Sequence, residues 1–221
     1  MIVLPSVDST NTYVKRYFAS LSDGEGVLAL EQTAGRGRLG RTWSSARGGL
    51  YISVYLKKTP ELLPFRSALA VRDALPPGLD LRFKWPNDLL LQSEGRYKKL
   101  SGILCETFAG GCVAGIGVNL RFEGQPPTPN AVCLSEFCSP PAPETLGERV
   151  RSSLLAWLRP DPEQVLRAYR PYCATIGRRV TLPDGRSAEA EGICPDGRLS
   201  VRTSAGTETV GSGEVIVQGI Y

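Results

Sequence analysis

Five short apolar runs set the limits on this fold. VLALEQ (27–32), LYISVYL (50–56), LRFKW (81–85), GILCETF (102–108) and VAGIGVNL (113–120) are β-branched or aromatic and bounded by Gly, Pro or Asn. Runs of this length and texture read as strands. Helical periodicity interrupts them. After Asp8, Ser9, Thr10 and Asn11, all good cap residues, Val14, Tyr17, Phe18 and Leu21 recur at i, i+3, i+4, i+7 until Gly24, which predicts a short amphipathic helix. PFRSALAVRDAL (64–75) begins on a helix-compatible Pro64 and stops before Pro76 and Pro77. Leu146, Val150, Leu154 and Trp157 share one helical face, and Pro162 opens a shorter helix through Val165, Leu166 and Tyr169. Pro126, Pro127, Pro129, Pro140, Pro141 and Pro143 predict a surface excursion over 121–146. From Gly177 onward short strands alternate with Asp-Gly and Gly-rich turns, the texture of a small antiparallel barrel. The pattern predicts an α+β fold: a mixed or antiparallel sheet with helices packed on it over residues 1–172, then a small β module at 173–221.

Composition removes whole classes of chemistry. The chain has no histidine, which excludes Ser-His-Asp and Cys-His nucleophiles, imidazole zinc sites and imidazole acid–base work. Chemistry here must run on Lys, Arg, carboxylates or a bound cation. The cysteines form no C-x-x-C pair and read as small buried hydrophobes. A net charge of +4 is too mild to imply a nucleic-acid partner without a clustered basic face. The N-terminus lacks a basic region followed by a long apolar stretch, and no apolar run reaches membrane-spanning length, so a cytoplasmic location is expected.

The charge that matters is concentrated in QTAGRGRLGRTW, residues 32–43. Gly35-Arg36-Gly37-Arg38-Leu39-Gly40 matches the G-x-G-x-x-G dinucleotide turn, but the residues after it lack the helical periodicity which that turn requires. A solvated basic loop is the plain alternative. Against it stands the entropy of ordering so many glycines, which favours a loop ordered by an anion that its guanidinium forks grip. In KWPNDLLL (84–91) a Pro-Asn-Asp corner joins two apolar runs, and it draws interest beside KKLSGIL (98–104), where a lysine precedes a small-residue pair that admits close backbone approach. GIGVN (115–119) places two glycines inside a strand, which makes room for a flat ring system.

Taken in order, DSTN, QTAGRGRLGRTWSS, KWPNDLLL, KLSGIL and GIGVNL resemble the biotin protein ligases from Asp8 to about Asn119, with a looser likeness beyond. The resemblance implies a catalytic fold like that of the class II aminoacyl-tRNA synthetases followed by an SH3-like barrel. It also implies a reaction in which biotin and ATP give biotinyl-5'-AMP, whose acyl group passes to a lysine of a biotin carboxyl carrier domain of a carboxylase. By the same likeness Arg36, Arg38 and Lys99 are the catalytic positions, Lys99 being chosen over Lys98 by its place before Leu-Ser-Gly. Ser9, Thr10, Asn11, Gln32, Gly35, Arg36, Lys99, Gly102 and Gly115 resemble biotin-binding positions. Arg38, Arg41, Trp43, Asn87, Val118 and Asn119 resemble the ATP side, with the tryptophan stacking, and Asp88 the Mg²⁺ position. The polar connector 92–98 looks slightly longer than usual for the family. DSTN begins at residue 8, leaving no room for the helix-turn-helix domain of the relatives that repress transcription, so DNA binding is not expected; nor is a membrane partner, and a homodimer is an assembly the likeness allows. Two alternatives stand beside it. A lipoate ligase or lipoyl transferase shares the fold and acyl-adenylate logic, and a non-catalytic nucleic-acid-binding module would show steep salt dependence.

Overall fold

In a computed structural model that describes residues 1–211 and 215–220, the chain forms two sheets. The larger has seven strands: β1 (Ile2–Leu4), β2 (Gly26–Ala29), β3 (Leu50–Leu56), β4 (Leu81–Lys84), β5 (Asp88–Ser93), β6 (Arg96–Phe108) and β7 (Gly111–Val118). Their spatial order is β1-β2-β3-β7-β6-β5-β4. The β1–β2 pair is parallel and the others antiparallel, so the sheet is mixed.

Side-chain alternation splits this sheet into two unlike faces. Leu28, Leu50, Ile52, Val54, Ala114, Ile116 and Val118 belong to the main core. That core is covered by α2 (Leu63–Ala74) and α3 (Pro143–Trp157), with α4 (Pro162–Tyr169) beside them. The intervening residues Val27, Tyr55 and Val113 pack on the other face with Val14 of α1 (Thr10–Tyr17). Strand β3 is buried at all seven positions, which is why its sequence is an unbroken apolar run.

Arg66 of α2 is nearly buried, and its guanidinium donates to the carbonyls of Glu61 (2.7 Å), Trp157 and Pro160 (2.9 Å). A fixed cation thus meets the carbonyl-rich C-terminal end of α3 and joins the two helices.

The second sheet is wholly antiparallel: β8 (Arg179–Thr181), β9 (Ser187–Ile193), β10 (Leu199–Thr203), β11 (Gly206–Val210) and β12 (Ile216–Val217), in the order β11-β10-β9-β8-β12. Its Val180, Leu199, Val201 and Val217 belong to the same continuous core as the larger sheet. The two are also tied by backbone and indole bonds: Ala174 N–H to Phe83 O (2.8 Å) and Trp85 Nε1–H to Gly197 O (3.0 Å).

Several expectations are amended. The first helix ends at Tyr17 and tightens to a 3₁₀ turn at Phe18–Ser20; Val14 and Leu21 are buried, while Tyr17 is 45% exposed. Ser9 stands at the helix N-cap with extended backbone, but its side chain caps no N–H. Strand β1 was not foreseen; its three residues carry too short a pattern. The polar connector 92–98 is chiefly the two arms of a hairpin, turning on Glu94 (φ 54°) and Gly95 (φ 78°), which supply the two positive φ angles a two-residue turn needs. The proline-rich excursion is not all surface: Ala131, Val132, Cys133 and Leu134 are buried, with Val132 N–H bonded to Lys99 O, and Pro143 begins α3. The six cysteines are all free, three buried and three partly so.

Candidate active site

The face of the sheet that carries α1 changes character along its length. At one end it is aromatic and packed; toward Tyr51, Gly115, Gly117, Gly102 and Leu104 it opens into a cavity of about 330 Å³, a size that suits a small-molecule site. Register brings these residues together, since Tyr51 pairs with Gly117, which pairs in turn with Gly102.

Trp43 occupies the space those glycines leave. A Cβ on Gly117 would lie 2.6 Å from the indole, and one on Gly102 would lie 2.8 Å from it. The ring therefore rests on bare backbone of two paired strands. The flat group expected over GIGVN is, at Gly117, the protein's own tryptophan. Gly35 and Gly115 likewise give up their space to protein atoms: Ser45 Oγ and Trp43 O at Gly35, and the Asn11 amide at Gly115. Trp43 Nε1 is buried and, among the described residues, has no hydrogen-bond partner.

A polar chain runs from this floor into α1. Ser53 Oγ lies 2.6 Å from Asn11 Oδ1 and 2.7 Å from Thr10 Oγ1; Thr10 N–H donates to Gln32 Oε1 (2.8 Å), and Gln32 Nε2 donates to Ser45 Oγ (2.8 Å). Ser9, Thr10, Asn11 and Gln32 all line the cavity. Asn11 Nδ2 also donates to Leu104 O (3.1 Å) and Glu106 Oε2 (2.9 Å).

The Arg-Gly segment forms the opposite wall. It closes on itself through Gly37 N–H to Arg41 O (2.7 Å) and Trp43 N–H to Gly35 O (2.9 Å), with Leu39 at its tip at φ 56° and 61% exposed. The segment thus carries backbone order of its own beyond what an anion would impose. Arg38 Nη1 donates to Asn87 Oδ1 (2.8 Å), and Arg36 Nη2 meets Glu106 Oε1 at 3.3 Å. Burial, the largest influence, pushes the Glu106 carboxyl up. Hydrogen bonds from Lys15 and Asn11 and the charges of Lys15 and Arg36 outweigh it and hold the group below its usual range.

Arg36, Arg38, Arg41, Lys84 and Lys99 line one cavity in which Asp88 is the one carboxylate among the described lining residues. Lys99 Nζ sits 2.8 Å from Asp88 Oδ1 and 5.2 Å from the Trp43 ring centroid. Lys84, unforeseen from sequence, has its ammonium pushed down first by burial; Asp88 opposes this, while Lys99 and Arg41 add to it. Tyr51 was also missed; burial, helped by the Glu123 charge, raises its phenol to about 12, and it donates to Ala46 O (2.7 Å). The spacing of Gly115 and Gly117 was the available signal, because glycines two apart in a strand clear the same face.

Three expected residues stand elsewhere. Gly35, Val118 and Asn119 do not line this cavity. Val118 is in the main core, and Asn119 spends both amide hydrogens on Lys99 O (3.2 Å) and Val132 O (3.0 Å). Asp88 is the carboxylate among the described lining residues that could meet a nucleotide-borne Mg²⁺. No cluster of three or more His, Cys, Asp or Glu converges among the described residues, and the cavity's carboxylate already bears an ammonium. What the arrangement can do is bind a polyanion and stabilise charge that develops on its oxygens.

Residues 3–123 match the Biotin/lipoate A/B protein ligase family, and residues 175–217 match the Biotin protein ligase C terminal domain. A biotin--[acetyl-CoA-carboxylase] ligase of Mycobacterium tuberculosis is 32% identical over 97% of this chain and 87% of its own length. One of Paracoccus denitrificans is 30% identical over 98% of this chain and 100% of its own. Among solved structures, a biotin protein ligase from Aquifex aeolicus in complex with biotin and ATP superposes with TM-score 0.82 at 28% identity, covering 98% of this chain and 97% of that one.

Proposed function

Because the chain belongs to the Biotin/lipoate A/B protein ligase family, we propose that it is a biotin protein ligase. It activates biotin with ATP and passes the biotinyl group to a lysine of a carboxylase carrier domain. One observation carries the site assignment: motifs far apart in the chain, the Arg-Gly segment, the Trp-Pro-Asn-Asp corner and the Lys-Leu-Ser-Gly strand, line a single cavity to which the described residues bring five cations and one carboxylate.

In the first step the biotin carboxylate attacks the α-phosphorus of ATP, the bond to the β-phosphate bridging oxygen breaks, and pyrophosphate leaves. A carboxylate is already ionised at neutral pH, so this step needs no general base, in keeping with a chain that has no histidine. Negative charge builds on the phosphoryl and leaving oxygens, where Arg36, Arg38 and Lys99 stabilise it. In the second step a carrier lysine attacks the acyl carbon and AMP leaves. That amine must be neutral, and a cavity rich in fixed cations disfavours its ammonium form. Ser9, Thr10, Asn11 and Gln32 offer the hydrogen-bonding network for biotin's polar ring, while Trp43, Asn87 and Arg41 serve the nucleotide. We read residues 1–172 as the catalytic unit and 173–221 as an accessory unit of SH3-like barrel form, whose β12 contributes Ile216 to the cavity mouth. No helix among the described residues is long and apolar enough to cross a membrane.

The test is pyrophosphate release with biotin against lipoate, followed by labelling of a carrier-domain lysine. Turnover with biotin and not lipoate is expected; no turnover with biotin rejects the assignment.

A further inference from the structure

Behind the cavity floor stands a carboxylate that works at one remove. Neither Glu106 nor Ser53 is among the described residues lining the cavity, yet both hold Asn11, whose amide lies over Gly115 in the space a side chain there would fill. The Glu106 carboxyl, held below its usual range, is ionised at neutral pH. Asn11 Nδ2 sits 2.9 Å from Glu106 Oε2 and 3.1 Å from Leu104 O, two atoms that only accept. Both amide hydrogens are therefore spent there, and Oδ1 is the atom that faces Ser53. Ser53 Oγ, buried, has one hydrogen for two neighbours, Asn11 Oδ1 at 2.6 Å and Thr10 Oγ1 at 2.7 Å. The Asn11 oxygen cannot donate, so it takes that hydrogen and Thr10 donates to Ser53. Thr10, which lines the cavity, is left with its oxygen as an acceptor. The chain of bonds has a direction, and its charged end sets it.

We propose that Glu106 is a positioning residue which fixes the hydrogen-bond polarity of the cavity floor through Asn11 and Ser53, so that Thr10 offers an acceptor to a donor N–H of the ligand's polar ring. The other oxygen of the same carboxylate shows what an amide would do in its place. Lys15 Nζ at 2.9 Å and Arg36 Nη2 at 3.3 Å both face Oε1. A glutamine here would turn its oxygen to those cations, which leaves its NH₂ against Asn11. Two NH₂ groups cannot bond each other, so the Asn11 amide turns over. Its nitrogen then donates to Ser53, Ser53 donates to Thr10, and the Thr10 hydrogen is released to meet the ligand's own donor. Leu104 O loses its partner in the same movement. The polarity claim stands on geometry alone; its consequence for biotin rests on the ligase reading above.

The experiment sets Glu106→Gln beside Lys15→Met, which removes one ion pair and leaves the Asn11 bond. In the first arm, without ligand, the Asn11 side-chain amide is followed by ¹⁵N NMR. Its hydrogens should exchange slowly in wild type and in Lys15→Met; in Glu106→Gln the resonance should move and exchange should quicken by roughly tenfold or more, with the backbone resonances of β6 and β7 in place. An Asn11 amide unmoved in Glu106→Gln overturns the relay. In the second arm pyrophosphate release is measured at varied biotin and varied ATP. Glu106→Gln should raise KM for biotin about tenfold, the effect of one misdirected hydrogen bond, with kcat and KM for ATP within about threefold of wild type. Lys15→Met should stay close to wild type throughout. An unchanged KM for biotin in Glu106→Gln refutes the proposal. So does a kcat that falls as far as KM rises, which traces the loss to Arg36, or a Lys15→Met protein as impaired as Glu106→Gln, which traces it to the ion pair. If wild type releases no pyrophosphate with biotin, the ligase reading falls, while the Asn11 resonance still decides whether Glu106 directs the chain.

Discussion

One methyl group at Gly117 should lift the Trp43 indole off the sheet. An added Cβ would meet Cε2 and Nε1 at 2.6 Å and Cζ2 at 2.9 Å, against roughly 3.5–4.0 Å for atoms in contact. The ring must rise by about 1 Å to restore that spacing. Gly117 itself is held in β7 between β3 and β6 and cannot recede, whereas Trp43 stands on a loop and can. Overpacking costs about 1–3 kcal/mol where nothing yields; with a loop that yields, Gly117→Ala should fall near 1 kcal/mol in urea unfolding. The functional loss is that of one aromatic contact to the base, roughly 0.5–1.5 kcal/mol, so KM for ATP should rise up to about tenfold while KM for biotin stays near wild type. Added to Trp43→Ala, the same methyl strikes nothing, so the double variant should match Trp43→Ala alone. Pyrophosphate release at varied ATP and varied biotin reads both constants. An unchanged KM for ATP in a folded Gly117→Ala protein, or additive losses in the double variant, would refute the reasoning.

Arg38→Gly removes the guanidinium that bonds Asn87; the adenylate should then escape and label bystander amines, and mass spectrometry showing unaltered acceptor selectivity would strip Arg38 of that role. Arg66→Met should cost about 3 kcal/mol in urea unfolding, because it leaves three carbonyls without their shared cationic donor; a loss under 1 kcal/mol contradicts this. The Glu106 carboxyl is held below its usual range when folded, so the stability it contributes is complete above its unfolded value of about 4.3 and is lost as pH falls through the lower folded value. Urea midpoints should therefore drop below about pH 4, and Glu106→Gln should flatten that acid limb; an equally steep limb in the variant excludes Glu106 as its source.

Strands β3 and β7 and helices α2 and α4 were legible because their apolar residues repeat at the period of the element and end on Pro, Gly or Asn. Strand β1 was not, since three residues beside Pro5 form a strand only when β2 is there to pair. The hairpin at Glu94-Gly95 was hidden by polar arms: Gln92, Arg96 and Lys98 follow no apolar pattern, because that end of β5 and β6 lies at the sheet's rim. The site was legible as a set of motifs, yet not as a layout. Gly102 and Gly117 read as gaps for a ligand, and only cross-strand register shows that Trp43 spans both. Lys84 carries no signal of its own inside the strand-like run LRFKW; the groups that act on it, Asp88, Lys99 and Arg41, are brought to it by the fold. Asn119 follows the familiar pattern of its motif, but its amide is engaged by backbone that arrives from residues 130–134.

Trp85 has its backbone N–H on Thr175 Oγ1 and its indole N–H on Gly197 O, one residue before the Pro86 and Asn87 that wall the cavity. A tilt of the β9–β10 turn is delivered to Asn87 across a single indole and two peptide links. Through Trp85 the small sheet is fastened to the wall of the cavity, so a load placed on that turn would bear on Pro86 and Asn87 at one remove.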